Sequence, residues 1–169
     1  MDDTFANWFV GFTDGEGSFQ VLINTNKSSR HGFFVEVRFS IGLHSRDAET
    51  LKKINEQMKV GEIVARNLKH SRLRGIGSQD QVHYIVRGYA DCCVIRDFFR
   101  KNPLQTTKRR NFDLWSQVLA IIGLKQHRGI KGILEISKLR DQMEVKTRNY
   151  RYRSYEWFKS HFGLGELKC

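Results

Sequence analysis

From Phe33 to Ile41 every second residue is large and apolar, and this alternation constrains the fold more than any other feature of the chain. Phe33, Val35, Val37, Phe39 and Ile41 share one face, while Glu36, Arg38, Ser40 and His44 point the opposite way. A period of two is the repeat of a β-strand, so this segment is a half-buried strand whose apolar face needs a covering layer. A shorter alternation precedes it across the polar loop Thr25 to Gly32, with Phe19, Val21 and Ile23 against Ser18, Gln20 and Asn24. Gly61 to Ala65 and Gln81 to Val86 read as two further strands, joined by a loop from Arg66 to Gly77 rich in basic residues and glycine.

Helical spacing fills the intervals. Phe5 to Phe12 is an apolar helix expected to stop at the glycine-rich run that follows it. Asp47 to Met58 carries Leu51, Ile54 and Met58 at amphipathic spacing. Ala90 to Phe99 closes before Pro103, the only proline. Arg110 to Ile122, Ile130 to Met143 and Tyr155 to Phe162 complete the chain as helices. The order predicts an α+β fold: an αββαββα core, a four-stranded antiparallel sheet covered on one face by helices, and extra C-terminal helices. No repeat or linker divides the chain, so residues 1–169 are expected to form one domain, with its core at about 5–143 and a helical tail at 144–169.

Charge narrows the partner. Lys and Arg number 29 against 18 acids, a formal net charge of +11. An excess of that size points to a polyanion, either nucleic acid or an anionic membrane. No apolar run approaches the ~20 residues that span a bilayer, and the acidic start Met1-Asp2-Asp3 is unlike a secretory leader. Cys92, Cys93 and Cys169 fit neither a disulfide framework nor a zinc spacing. Nucleic acid is therefore the expected partner and a membrane is not.

The polar side of the expected sheet carries side chains that can read base edges: Ser18, Gln20, Asn24, Asn26, Glu36, Arg38, Ser40, His44, Gln81, His83 and Arg87. Lys27, Arg30, Arg66, Lys69, Arg72 and Arg74 fall in the two loops that cap the strands, where they can grip phosphates. A water-facing antiparallel sheet also shows a polar face. Two basic runs flanking that face favour DNA.

Gly11 and Gly15 are four residues apart on the first helix, which leaves one face without side chains and open to another helix backbone. Glu16 ends that helix, where the dipole repels a carboxylate, and Asp14 adds a second negative charge. A divalent cation would account for an arrangement that local electrostatics disfavour.

Phe9-Val10-Gly11-Phe12-Thr13-Asp14-Gly15-Glu16-Gly17, followed by Ser18-Phe19, resembles the LAGLIDADG motif of homing endonucleases and related intron maturases. Gly11, Asp14, Glu16 and Gly17 fall on its fixed positions, with Glu where many members have Asp. Two more blocks match in order. Phe39 to Asp47 resembles the strand and helix start after the motif, and Pro103 to Lys108 with Asn111 to Trp115 resembles the segment carrying the family's active-site lysine.

The resemblance implies a single-motif homodimer whose first helices pack together through Trp8, Gly11, Phe12 and Gly15. It implies that Glu16 and its symmetry mate hold Mg²⁺ with the scissile phosphates, with the Gly15 carbonyl as a further ligand. Mn²⁺ would substitute, and Ca²⁺ would bind without supporting cleavage. Lys108 matches the lysine that organises the attacking water or stabilises charge, although it also reads as one more phosphate-binding lysine. A strand residue, often Gln in the family, orders water as well; here the register brings Leu43 or His44 to that place, and His44 is the candidate. The implied activity is a double-strand break in a long, near-palindromic target, leaving short 3′ overhangs. The family context implies an organelle genome. A maturase, with RNA as its partner, and a non-cleaving DNA-binding protein are the alternatives.

Overall fold

A computed structural model of the chain describes residues 2–66, 80–143 and 153–164. Its elements follow the expected order: α1 (Asp3–Glu16), β1 (Gly17–Thr25), β2 (Phe33–His44), α2 (Ala48–Met58), β3 (Glu62–Arg66), β4 (Gln81–Arg87), α3 (Tyr89–Lys101), α4 (Lys108–Gly123), α5 (Ile130–Asp141) and α6 (Tyr155–His161). The four strands form one antiparallel sheet in the order β1-β2-β4-β3. Lys69, Arg72, Arg74 and Cys169 lie outside the described residues, and of Arg66 only the backbone is described.

The described residues fall into two compact units, one within Met1–Phe19 and Arg38–Arg109, the other within Gln20–Val37 and Arg110–Cys169. In the first unit α1 buries Ala6, Phe9, Val10 and Thr13. Phe9 stands edge-on to Phe39 at 6.4 Å and packs on Phe98 and Phe99 at 5.3 and 5.5 Å. Phe19 joins the same cluster, 5.1 Å from Phe39. Each such ring contributes about 1.5–3 kcal/mol by leaving water. The β-alternation supplies this cluster from the sheet side: Phe39 and Ile41 are fully buried.

Helix α1 runs beyond Phe12, through the glycine run, to the end expected at Glu16. The helix continues through Gly11 and Gly15 to Glu16, and Gly17 then turns into extended backbone. Tertiary contacts hold this glycine-rich last turn helical, as the site below shows, and so override glycine's low helix propensity.

Between α2 and β3 a glycine is obligatory. Gly61 adopts φ +87°, and a Cβ there would come within 2.8 Å of the Ile85 carbonyl, the Tyr84 ring and Val86. Tyr84 donates its hydroxyl to the Val60 carbonyl at 2.7 Å, and Asn55 donates to the Gly61 carbonyl at 3.0 Å. This tight turn sets the start of β3 against β4.

In the second unit Phe33 is the centre. Phe158 of α6 is fully buried and meets it edge-on at 5.0 Å, and the Arg153 guanidinium lies 5.9 Å from the Phe33 ring and 4.9 Å from Trp157. Ser154 caps α6 by accepting from the Trp157 amide. Phe112, Trp115, Val118 and Leu119 of α4 and Ile133 and Ile136 of α5 are buried in this unit. The segment expected as a tail thus contributes a core residue, Phe158.

Candidate active site and nucleic-acid interface

The last turn of α1 is tied to the segment that opens α4. The Asp14 carboxylate accepts from the Gln105 amide at 2.8 Å, the Thr106 amide at 3.3 Å and the Thr106 hydroxyl at 2.7 Å. Thr106 Oγ1 in turn accepts from the Lys108 amide at 3.2 Å. Lys108 then reaches back: its Nζ donates to the Thr13 carbonyl at 2.9 Å and the Gly15 carbonyl at 3.1 Å. A cation on the final carbonyls of a helix satisfies acceptors that have no partner within the helix and complements its negative end. Asp14 therefore braces a turn, and Lys108 offsets the electrostatic cost of two acids at a helix C-terminus.

An ammonium has three hydrogens, and Lys108 gives two to backbone. One remains for a phosphate oxygen or a water. Burial lowers the Lys108 pKa from its ordinary value of 10.5, opposed by the negative charges of Asp14 and Glu16. Glu16 itself is exposed.

Among the described residues no three His, Cys, Asp or Glu side chains cluster to hold a metal. One chain supplies a partial set of hard oxygen donors, the Glu16 carboxylate and the Gly15 carbonyl, whose oxygen already accepts from Lys108. That set fits a magnesium-like ion completed by phosphate oxygens, water and a second carboxylate.

His44 is placed differently. Its Nδ1 accepts from the Arg46 amide at 3.1 Å and caps the short 3₁₀ turn before α2. A ring nitrogen that accepts carries no hydrogen, so only Nε2 is available to a water.

Among the described residues nothing covers the outer face of α1. Trp8 is 42% exposed, and Trp8 and Phe12 stack at 4.9 Å. Nothing lies within 4 Å of where a Cβ at Gly11 or Gly15 would stand. An amphipathic helix that buries Phe9 and Val10 on one side thus presents aromatic rings and bare backbone on the other.

In the first unit the ladder of β2, β4 and β3 fixes which base-reading candidates share a face. Arg38 is opposite Arg87, Ser40 opposite Ile85, Gly42 opposite His83 and His44 opposite Gln81. On the other side of β4, Glu62 pairs with Ile85, Val64 with His83 and Arg66 with Gln81. His83 lies over Gly42, its ring atoms 2.7–2.8 Å from where a Cβ would stand, and its Nε2 is 3.3 Å from the Gln81 carboxamide oxygen. Arg87 pairs with Glu62 at 3.0 Å, a carboxylate the sequence reading did not single out. Ser40 is 8% exposed and its neighbour Ile85 only 3%, so the middle of this face is closed to solvent. Ser18 is half-buried on β1. In the second unit Gln20 and Glu36 are half-buried, while Asn24, Asn26, Lys27 and Arg30 are exposed, and the Asn26 carboxamide accepts from the Ser28 amide at the turn.

Among the described residues no helix is long and apolar enough to cross a membrane. Comparison with known proteins gives a consistent result. Residues 9–119 match the family model described as LAGLIDADG endonuclease. A Neurospora crassa protein named "Probable intron-encoded endonuclease 3" is 27% identical over 135 residues, 80% of this chain, and the chain spans only 24% of that relative. Among solved structures, the homing endonuclease I-TnaI is similar with a TM-score of 0.75 at 25% identity, over 94% of this chain and 95% of that one. The meganuclease I-CpaMI, bound to uncleaved DNA, is similar with a TM-score of 0.74 at 27% identity, over 94% of this chain and 48% of that one.

Proposed function

The chain belongs to the LAGLIDADG endonuclease family, and on that premise we propose that it is one half of a site-specific homing endonuclease cutting both strands of duplex DNA. The observation that carries this reading is the end of α1, where an exposed Glu16 stands beside a Lys108 ammonium with a hydrogen to spare. Lys108 also caps the helix end, but a protein that only binds DNA or RNA need not keep an exposed acid beside it.

The second half is a second copy, docked through Trp8, Gly11, Phe12 and Gly15. It would bring a second Glu16 to the same axis, giving the acid pair by symmetry. Two Glu16 carboxylates and the Gly15 carbonyls would hold Mg²⁺, or Mn²⁺ in its place, and the ion would supply charge neutralisation at the scissile phosphate. Lys108 donates its remaining hydrogen to a phosphate oxygen or to the attacking water. His44 offers Nε2–H to water from the neighbouring strand end. The target is long and near-palindromic because a symmetric protein reads both halves alike, and the breaks leave short 3′ overhangs. The coding position belongs, on this reading, to an intron of an organelle genome. The decisive experiment incubates the protein with a plasmid carrying the sequence that flanks its host intron. Linear product in Mg²⁺, and none in Ca²⁺, is expected; intact plasmid in Mg²⁺ overturns cleavage.

Sequence reading runs through Gln20, Asn24, Glu36, Arg38, Gln81 and His83, with Arg30 and Lys27 on phosphates. Arg38→Ala should cost roughly 1–3 kcal/mol against the matched site and relax preference at one position. Lys27→Ala should weaken all sequences together and reduce the salt dependence of binding. Competition binding against single-base variants of the target separates the two. An equal loss on matched and mismatched sites for Arg38→Ala would remove it from base reading.

The Lys108 shift gives a pH signature. Because burial lowers its pKa, the ammonium deprotonates before an ordinary lysine does as pH rises. If the charged form is the donor, cleavage falls on the alkaline side below pH 10.5, and Lys108→Arg abolishes that fall because a guanidinium stays charged. A rate that climbs through the same range would make the neutral amine a base instead.

A further inference from the structure

One cavity in the second unit shares only Arg30 with the duplex-binding reading above. It measures about 440 Å³ and is lined by Arg30, His31, Phe33, Phe34, His127 and Arg128 among others. That volume is within the range of small-ligand sites, about 300–1,000 Å³. No residue of the lining comes from the unit that carries Glu16.

The lining makes two separate demands of an occupant. Arg30 and Arg128 are both exposed, and no carboxylate is among the described lining residues, so the cavity favours an anion. Phe34 is 50% exposed and presents an aromatic ring that no core contact uses up. His127 adds a half-buried imidazole to the wall. A bare phosphate meets the first demand only. An apolar ligand meets the second only. A nucleotide meets both, through its phosphate and its flat base.

We infer that the cavity lined by Arg30, Phe34, His127 and Arg128 binds one unpaired nucleotide of a single-stranded nucleic acid. Stacking occupies the faces of a base in a duplex, so only an unpaired base can lay its face on Phe34. The phosphate of that nucleotide lies with Arg30 and Arg128. The site takes the shared chemistry of single-stranded DNA and RNA, and it is a second nucleic-acid contact beside the sheet.

The test uses the full chain without added metal, so its failure is independent of whether the protein cuts DNA. Binding of a fluorescein-labelled ten-residue oligothymidylate and of its RNA counterpart, oligouridylate, is followed by anisotropy. Phe34→Ala should weaken one or both single strands roughly tenfold or more, since stacking on an aromatic ring is worth that much, and Arg128→Ala should weaken the same strands through its lost phosphate contact. Phe34→Tyr, which keeps the ring, should bind as the natural chain does and shows that the loss is not misfolding. Duplex binding by the same variants should stay within about twofold. A loss with DNA alone, RNA alone or both supports the site and names its source. Unchanged single-strand binding in Phe34→Ala and Arg128→Ala overturns it, as does an equal loss on duplex. Competition by inorganic phosphate as strong as by thymidine monophosphate would overturn the nucleotide reading in favour of an ordinary anion site.

Discussion

Glu16→Gln should abolish strand cleavage while leaving affinity for the target nearly intact or slightly higher. The substitution keeps size and hydrogen bonding and removes the charge that a divalent ion needs. Charge stabilisation by such an ion is worth several kcal/mol, so the expected loss is about a thousandfold or more. Affinity holds because Glu16 is exposed at the end of α1 and accepts none of the hydrogen bonds that brace that turn; those go to Asp14. A carboxylate facing phosphates without its metal is repulsive, and its neutralisation can only help binding. Gel shift in Ca²⁺ and cleavage in Mg²⁺ measure the two effects. Full cleavage by the variant would remove the proposed mechanism, and loss of binding together with cleavage would make Glu16 a structural residue.

The second large effect concerns assembly. Gly11→Leu should reduce association of two copies by several kcal/mol, to the point where light scattering at micromolar concentration reports a monomer. A Cβ at this position meets nothing within 4 Å beyond its own helix, so the fold itself should tolerate the new side chain. The damage falls only where a second backbone must approach. This separation makes the prediction sharp: thermal stability of the monomer stays close to that of the natural chain while mass halves and cleavage disappears. A monomeric natural chain at the same concentration would sink the homodimer. A partner domain on the same polypeptide would then be the alternative, which the 24% span of the Neurospora relative and the 48% span of I-CpaMI both leave room for.

Much of the architecture was legible because local sequence and tertiary environment agree. The alternation from Phe33 to Ile41 is the burial pattern of β2, and Leu51, Ile54 and Met58 are the buried stripe of α2. Where the two disagreed, distant contacts decided. The glycines of α1 read locally as a stop, yet the helix runs to Glu16 because a lysine 93 residues away in sequence from Gly15 takes its carbonyl. The same distance hid the role of Asp14: nothing near it in sequence announces that the 105–106 amides will turn toward it. Lys108 was found through likeness to a family segment, which gave the residue but not its two carbonyl partners. Glu62 was overlooked because one acid on a short strand carries no pattern, and only the register with β4 brings it to Arg87. The cavity residues His127 and Arg128 sit in a 3₁₀ turn with no periodicity, so no signal separated them from an ordinary basic loop.

The brace from Asp14 to the 105–106 turn has a consequence for when the reactive geometry is assembled. The ammonium of Lys108 and the carboxylate of Glu16 share one helix end, and the ammonium is held there by hydrogen bonds made within the folded chain. The ordering of Lys108 belongs to folding and not to the encounter with substrate. Polar groups already oriented before the reaction need little reorganisation as charge develops, which is where much of an active site's electrostatic advantage arises. A lysine on a loose surface loop would have to lose its rotamer freedom, worth about 2 kcal/mol, each time a target arrived. Here the backbone carbonyls of Thr13 and Gly15 impose that order in advance, and on the proposed reading incoming DNA would meet a donor already in position.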